Sequence, residues 1–165
     1  MTAVAHMRRP GFTLVEALMS ALVVSVMLTA ALAAVGASAR AQAAGARQWR
    51  ARAIAASLLS EIVHLPYADP EDAGGSLLGP DSGEMRAVFD DVDDYAGLVE
   101  STVTFKDGRA LEDAAGWSRS VAVTWVTEAD PNTASPIPTH LKRVTVTACY
   151  KGYRVTECVA IRAAD

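Results

Sequence analysis

Residues 8–39 read RRPGFTLVEALMSALVVSVMLTAALAAVGASA, and this stretch decides how the rest of the chain is organised. Residues 17–39 are 23 consecutive uncharged residues, mostly Ala, Leu, Val and Met. As an α-helix they extend for roughly 35 Å at about 1.5 Å per residue, which is enough to cross a bilayer core of about 30 Å. The pattern therefore predicts a membrane-spanning helix near the N-terminus.

The only charged residue between Phe12 and Ala39 is Glu16. A carboxylate inside a membrane segment costs about 2.5–3.5 kcal/mol or more unless a cation pairs with it. A cut between Gly11 and Phe12 would create an α-amine one helical turn before Glu16, and the amine of a neighbouring subunit could serve equally well. We interpret Glu16 as an assembly contact inside lipid.

The run from Gly11 to Ala17, GFTLVEA, follows Arg8-Arg9-Pro10 and closely resembles the prepilin cleavage and methylation motif. That motif belongs to type IV pilins and type II secretion pseudopilins. The resemblance implies that a prepilin peptidase cuts after Gly11 and methylates the amine of Phe12. It also implies that Glu16 acts in subunit docking, and that the partners of the chain include other pilin or pseudopilin subunits and an inner-membrane assembly platform.

Three simpler interpretations compete with the prepilin motif. The first is a secretory signal peptide cut near Ala37-Ser38-Ala39, but the apolar run exceeds the usual 7–15 residues. The second is a twin-arginine signal, which the residues after Arg8-Arg9 match weakly. The third is a plain anchor helix. Only the prepilin interpretation explains Gly11, Phe12 and Glu16 together.

The rest of the chain predicts an α+β fold with a long N-terminal helix packed on a four-stranded antiparallel sheet, as in pilins. An apolar stripe at Ile54, Leu58, Ile62 and Leu65 continues the helix to Pro66, which ends it. The predicted parts are a leader peptide at 1–11, a transmembrane assembly helix at 12–39, its periplasmic continuation at 40–65, a variable loop at 66–97 and the sheet domain at 98–165.

Four strands are predicted, at 98–106, 118–127, 141–150 and 153–162. The last two form a hairpin around Lys151-Gly152. Simple alternation predicts one shared face, which Glu157 interrupts without an explanation from sequence; its members are Val144, Val146, Ala148, Tyr150, Tyr153, Val155, Val159 and Ile161.

Charge is unevenly distributed along the chain, whose net charge is −4. Residues 66–165 hold nine Lys and Arg against seventeen Asp and Glu, so no general nucleic-acid surface is expected there. The arginines from Arg40 to Arg52 outnumber Arg8 and Arg9, which by charge alone would put the C-terminal flank inside. The resemblance implies the opposite topology: a single-pass inner-membrane protein with a cytoplasmic N-terminus and a periplasmic C-terminal domain.

The sequence leaves the role of two groups of residues outside the helix undecided. Asp90, Asp91, Asp93 and Asp94 could hold Ca²⁺, which takes six to eight oxygen ligands, or could form a solvated acidic turn. The EF-hand spacing is absent.

Cys149 and Cys158 could form a disulfide in an oxidising compartment. A turn at Lys151-Gly152 would put Cys158 opposite Thr145 and roughly 13 Å from Cys149, whereas a turn near Tyr153-Arg154 would bring the cysteines together.

The segments Phe89–Tyr95, Trp117–Arg119 and Leu141–Val146 resemble minor pilins of the mannose-sensitive haemagglutinin type. The leading hypothesis is therefore a structural, minor filament subunit of a type IV pilus or a type II secretion pseudopilus. The alternative is a membrane-anchored periplasmic Ca²⁺-binding or ligand-binding domain that never polymerises. No nucleophile, metal-spaced histidine pair or phosphate loop indicates an enzyme.

Overall fold

The computed structural model describes residues 11–69, 78–81 and 83–164. The leader prediction for residues 1–10 and part of the loop prediction, at 70–77, lie outside the described residues. The chain divides into two compact units, residues 1–44 and residues 45–165. One helix, α1 (Leu14–Val63), begins in the first unit and ends in the second. It begins two residues after and ends two residues before the predicted bounds.

The second unit confirms the predicted α+β arrangement. Four strands follow α1 and pair antiparallel in sequence order: β1 (Val99–Glu100), β2 (Trp117–Trp125), β3 (Leu141–Tyr150) and β4 (Tyr153–Ala163). Lys151 and Gly152 join β3 to β4 with φ angles of 51° and 82°. Two positive φ angles are typical of the tight hairpin turn whose twist matches that of the strands.

The core of this unit lies between the last three turns of α1 and one face of the sheet. Ile54, Leu58 and Ile62 are buried, as the apolar stripe predicts, and Leu65 is partly buried against them. They meet inward-facing residues of β2 and β3: Trp117, Val121, Val123, Val144, Val146 and Ala148. Truncating a core residue such as Leu58 to alanine costs about 2–5 kcal/mol of stability.

The predicted first strand, 98–106, is wrong in length, since only Val99 and Glu100 pair with β2. The chain reverses instead at Asp107-Gly108, where the Phe105 amide donates to the Arg109 carbonyl over 2.8 Å. Gly108 has a φ of 83°, a conformation that glycine adopts without strain. A local turn therefore uses residues that alternation alone assigns to the sheet.

The predicted face of β4 is also wrong, because a β-bulge changes its phase. Ala148 pairs with Thr156 and Cys149 pairs with Arg154, which leaves Val155 as the extra residue. From Thr156 onward every side chain is therefore on the face opposite to the one that simple alternation assigns. Val159 and Ile161 lie on the outer face, whereas Cys158 and Ala160 face the helix beside Val146 and Val144.

The bulge also explains why Glu157 does not lie on the core face of β4. This residue pairs with Thr147 on the outer face, and its carboxylate accepts a hydrogen bond from Arg154 over 2.7 Å. Glu157 therefore does not interrupt the core face, which it never joins.

Candidate processing and assembly site

The first turn of α1 is organised by Thr13. Its carbonyl accepts a hydrogen bond from the Ala17 amide at 3.1 Å, and its hydroxyl accepts one from the Glu16 amide at 3.2 Å. These two bonds are those of a helix N-cap. Gly11, Phe12 and Thr13 therefore precede the helix, which begins at Leu14 and not at Phe12.

The Glu16 side chain is exposed. Thr13 and Glu16 have the spacing of a capping box, in which the acid also accepts the amide of the cap residue. Within residues 11–69, 78–81 and 83–164, only the half made by the Thr13 hydroxyl forms, and no cationic side chain pairs with Glu16. Among the residues that the structure describes, the Glu16 carboxylate therefore has no ionic partner.

The helix surface around Glu16 is apolar on all sides. From Gly11 to Trp49 the described residues are exposed, apart from a half-buried Gly36. The large apolar side chains among them are Phe12, Leu14, Val15, Leu18, Met19, Leu22, Val23, Val24, Val26, Met27, Leu28, Leu32 and Val35. By length and composition α1 is able to cross a membrane.

Two hydroxyl groups within this apolar segment bond to its own backbone. The Ser25 hydroxyl donates to the Ala21 carbonyl over 2.7 Å, and the Thr29 hydroxyl donates to the Val26 carbonyl over 2.9 Å. Such bonds hide hydroxyls from lipid, where an unsatisfied polar group is costly. Glu16 is the one residue of the segment whose charge needs a partner from elsewhere.

The acidic turn at 90–94 brings three of its four predicted residues together. One carboxylate oxygen from each of Asp90, Asp91 and Asp94 lies within 4.8 Å of the other two. Asp91 Oδ1 accepts hydrogen bonds from the amides of Asp93 and Asp94, and Asp94 Oδ2 accepts them from the amides of Asp90 and Asp91. These oxygens therefore hold the turn together, and the same set offers carboxylate ligands of the kind that Ca²⁺ takes.

Burial makes Asp91 the most perturbed acid of the turn. The residue is 2% exposed, and removal from water raises the pKa of its carboxyl to about 6, although the amides of Asp94 and Asp93 act in the opposite direction. The charge of Asp94 adds to the increase. The turn therefore takes up a proton near pH 6.

The fourth predicted ligand, Asp93, is paired with a lysine instead. Lys142 Nζ lies 2.7 Å from Asp93 Oδ2 and 2.5 Å from the Tyr67 carbonyl, and it sits 3.7 Å from the centre of the Tyr67 ring. Lys142 is fully buried. The sequence contained a signal for this contact, because Lys142 is in phase with the inward residues Val144 and Val146 and so must bring its charge into the core.

A second buried ion-pair network joins α1 to the sheet. Arg86 bridges Glu61 on α1 and Glu100 on β1, at 2.8 Å and 2.6 Å, and Arg119 on β2 pairs with the other oxygen of Glu100. The Tyr95 hydroxyl donates to Glu61 over 2.6 Å. Sequence analysis missed this network, although Arg119 alternates in phase with Trp117 and Val121.

The two cysteines lie on opposite faces of the sheet. Cys149 is opposite Arg154, as expected for a turn at Lys151-Gly152, but Cys158 is opposite Val146 and not Thr145. The bulge at Val155 causes this difference, and both cysteines are free thiols in the structure.

Comparison with known protein families matches the part of the chain that contains the first turn of α1. The family model of the prokaryotic N-terminal methylation motif matches residues 6–32. No curated protein and no solved structure matches the chain significantly. The matched residues contain Gly11, Phe12, Thr13, Glu16 and most of the exposed apolar helix. The chain thus carries the prokaryotic N-terminal methylation motif at the start of its membrane-length helix, and this match supports a likeness to type IV pilins and pseudopilins.

Proposed function

We propose that the chain is a structural subunit, of the minor class, in a type IV pilus-like or type II secretion pseudopilus filament. Prepilin peptidase removes the leader by cutting after Gly11 and methylates the amine of Phe12. The mature subunit waits in the inner membrane and then enters the filament, where Glu16 pairs with the Phe12 amine of a neighbouring subunit.

The observation that carries this proposal is the exposed apolar surface of α1 with its single acid, which has no cationic partner among the described residues. Phe12 is 75% exposed and Leu14 is 79% exposed. A surface of this size needs lipid in the free subunit and other helices in an assembly. Small residues along it allow close helix approach: Ala17, Ser20, Ala21 and Ala31.

Beyond the apolar segment, α1 carries a cluster of arginines and a tryptophan. Arg40 donates to the Gly36 carbonyl over 3.0 Å, and Trp49 is 73% exposed. An exposed tryptophan on a helix surface favours burial against a second molecule. These residues suit the outer side of the inner membrane, with the N-terminus cytoplasmic and residues 45–165 periplasmic.

Replacing Glu16 with leucine tests the docking role. The variant loses a charge that is costly in lipid, so insertion into the membrane should be unimpaired. Cleavage after Gly11 should persist, because the cut needs no carboxylate at residue 16. Assembly should fall, because the methylated amine of a neighbour loses its partner at low dielectric. Co-purification with sheared filaments measures this, and normal incorporation of the leucine variant would overturn the docking role.

An alternative of a different class is an anchored periplasmic domain that binds Ca²⁺ or another ligand and never polymerises. The carboxylates of Asp90, Asp91 and Asp94 are the observation that favours it. This alternative predicts that the chain is absent from filament preparations and keeps its leader. A filament subunit would instead be present in filament preparations and would have lost its leader.

A further inference from the structure

We propose that the free edge of β4 binds an extended segment of a different protein, which adds a strand to the sheet and carries an acidic residue opposite Arg52. The surface consists of the β4 edge from Thr156 to Ala163 and the groove between that edge and α1, and we call it the edge groove. It lies within the unit at 45–165 and uses no residue of the apolar segment, so the proposal goes beyond the filament role.

One side of the β4 backbone has no partner strand, because β4 is the last strand of the sheet. The Ala164 amide donates to the His140 carbonyl over 2.8 Å, which fixes the phase of the hydrogen bonds between β3 and β4 beyond the bulge. Bonded and non-bonded pairs alternate in an antiparallel ladder, so the even-numbered residues of 156–162 bond to β3. The amides and carbonyls of the odd-numbered residues of 157–161 therefore point to the open side.

The β4 edge lacks the features that usually protect a strand edge. Natural proteins make such edges short, place lysine or proline on them, or twist them away with a bulge. β4 has eleven residues, its bulge at Val155 lies near its start, and residues 158–161 are Cys-Val-Ala-Ile. Val159 and Ile161 are 51% and 45% exposed. An edge with these properties favours a covering strand.

A groove of about 630 Å³ lies between this edge and α1. One wall is β4 from Thr156 to Ala160, and the other is formed by five residues of α1: Arg52, Ala56, Leu59, Ser60 and Val63. Leu59 and Val63 are only half-buried, so the side chains of β4 leave part of the apolar surface of α1 uncovered. Every second side chain of an added strand would point into the groove and pack against these two residues.

Arg52 gives the edge groove a preference for an acidic ligand. Its side chain is exposed, and it pairs with no carboxylate among the residues that the structure describes. Glu157, the acid that lines the groove, is already paired with Arg154 at 2.7 Å. The helix wall therefore presents a positive charge without a partner, and a carboxylate on the added strand would complement it.

A second copy of this chain fits the edge groove poorly. Two β4 edges that continue one sheet pair about a two-fold axis, which turns α1 of the two copies in opposite directions. Chains anchored in one membrane by α1 need this helix to point the same way. The opposite edge of the sheet offers only Val99 and Glu100, which is too short to cover β4. These relations favour a strand from a different protein.

Peptide titration of the isotope-labelled full-length protein in detergent micelles tests the proposal. The probes are two short synthetic peptides of alternating valine and threonine; one carries a single aspartate and the other a lysine in its place. The aspartate peptide should shift the amide resonances of Glu157, Val159 and Ile161 and protect these amides from exchange. The lysine peptide should bind about threefold more weakly, and Arg52→Gln should remove the difference between the two peptides.

A proline at the edge separates the backbone from the side chain. Val159→Pro removes an outward amide but no bond to β3, and proline is tolerated at such edge positions. It should weaken binding of the aspartate peptide about fivefold and leave the melting temperature nearly unchanged. Val159→Thr keeps the amide and should bind as the wild type does.

Four results would overturn the proposal. They are unchanged resonances of residues 157–161 with both peptides, equal binding of both peptides to the wild type, undiminished binding by Val159→Pro, and a concentration-dependent dimer that Val159→Pro dissolves. The last result would assign the edge groove to a second copy of the chain. Arg52→Gln changes an exposed side chain away from the strand, so the charge test holds even if the proline variant fails to fold.

Discussion

Lys142 and Asp93 form an ion pair of 2.7 Å inside the second unit, with the lysine fully buried and the carboxylate nearly so. The pair ties the acidic turn at 90–94 to strand β3. The same lysine donates to the Tyr67 carbonyl in the segment that follows α1. One buried charge therefore connects three parts of the chain that are distant in sequence.

Removing one member of this pair should destabilise the unit strongly. Lys142→Met leaves Asp93 as an uncompensated buried acid, and such losses typically amount to about 3–5 kcal/mol. Denaturant unfolding of the chain from Gly45 onward measures the change. Adding Asp93→Asn to Lys142→Met should recover part of the loss, because no charge then remains buried. If the double variant is no more stable than the single one, the ion pair is not the reason for the loss.

The acidic turn should make stability depend on pH through Asp91. Its folded pKa, about 6, is above the ordinary 3.8, so between those values the folded state binds more protons than the unfolded state. Stability from this group is therefore greatest at low pH and falls as pH rises towards 6.

Asp91→Asn isolates that contribution. The amide oxygen can still accept the amides of Asp93 and Asp94, but the residue no longer titrates. The variant should melt higher than the wild type at pH 7, and the difference should shrink at pH 4. An identical difference between the melting temperatures at both pH values would contradict the assignment.

Adding Ca²⁺ tests whether the acidic turn at 90–94 binds a metal ion. Because backbone amides already occupy Asp91 Oδ1 and Asp94 Oδ2, we expect millimolar Ca²⁺ to leave the melting temperature of the chain from Gly45 onward unchanged. A bound ion would raise stability by about 2.7 kcal/mol at a hundred times its Kd. A rise that Asp91→Asn with Asp94→Asn removes would instead support the Ca²⁺-binding alternative.

The sequence predicted the architecture because the relevant signals are strong and local. The long apolar run with Glu16, the stripe at Ile54, Leu58 and Ile62, and the Lys151-Gly152 turn each specify one element. The phase of β4 was not predictable by alternation, because a bulge at Val155 depends on how β4 pairs with β3 and not on β4 alone.

The buried charges were harder to predict from sequence, although two of them carried a signal. Lys142 and Arg119 alternate in phase with core residues, so their burial follows from the strand pattern. Their partners Asp93 and Glu100 lie in segments with no periodic pattern, and only the folded chain brings them together. The same holds for Thr13, whose place as the N-cap depends on where the helix begins.

The mature N-terminus of the wild-type protein is the most direct test of the account. Intact mass and N-terminal peptide mass spectrometry, on protein from membranes and from sheared filaments, identify the first residue and its modification. Gly11→Val provides the control, because a β-branched side chain beside the scissile bond should block cleavage and leave the leader attached. The account predicts a wild-type chain that begins at N-methylated Phe12. A wild-type chain that keeps residues 1–11, or one that begins at Arg40 after a signal-peptide cut, would contradict it.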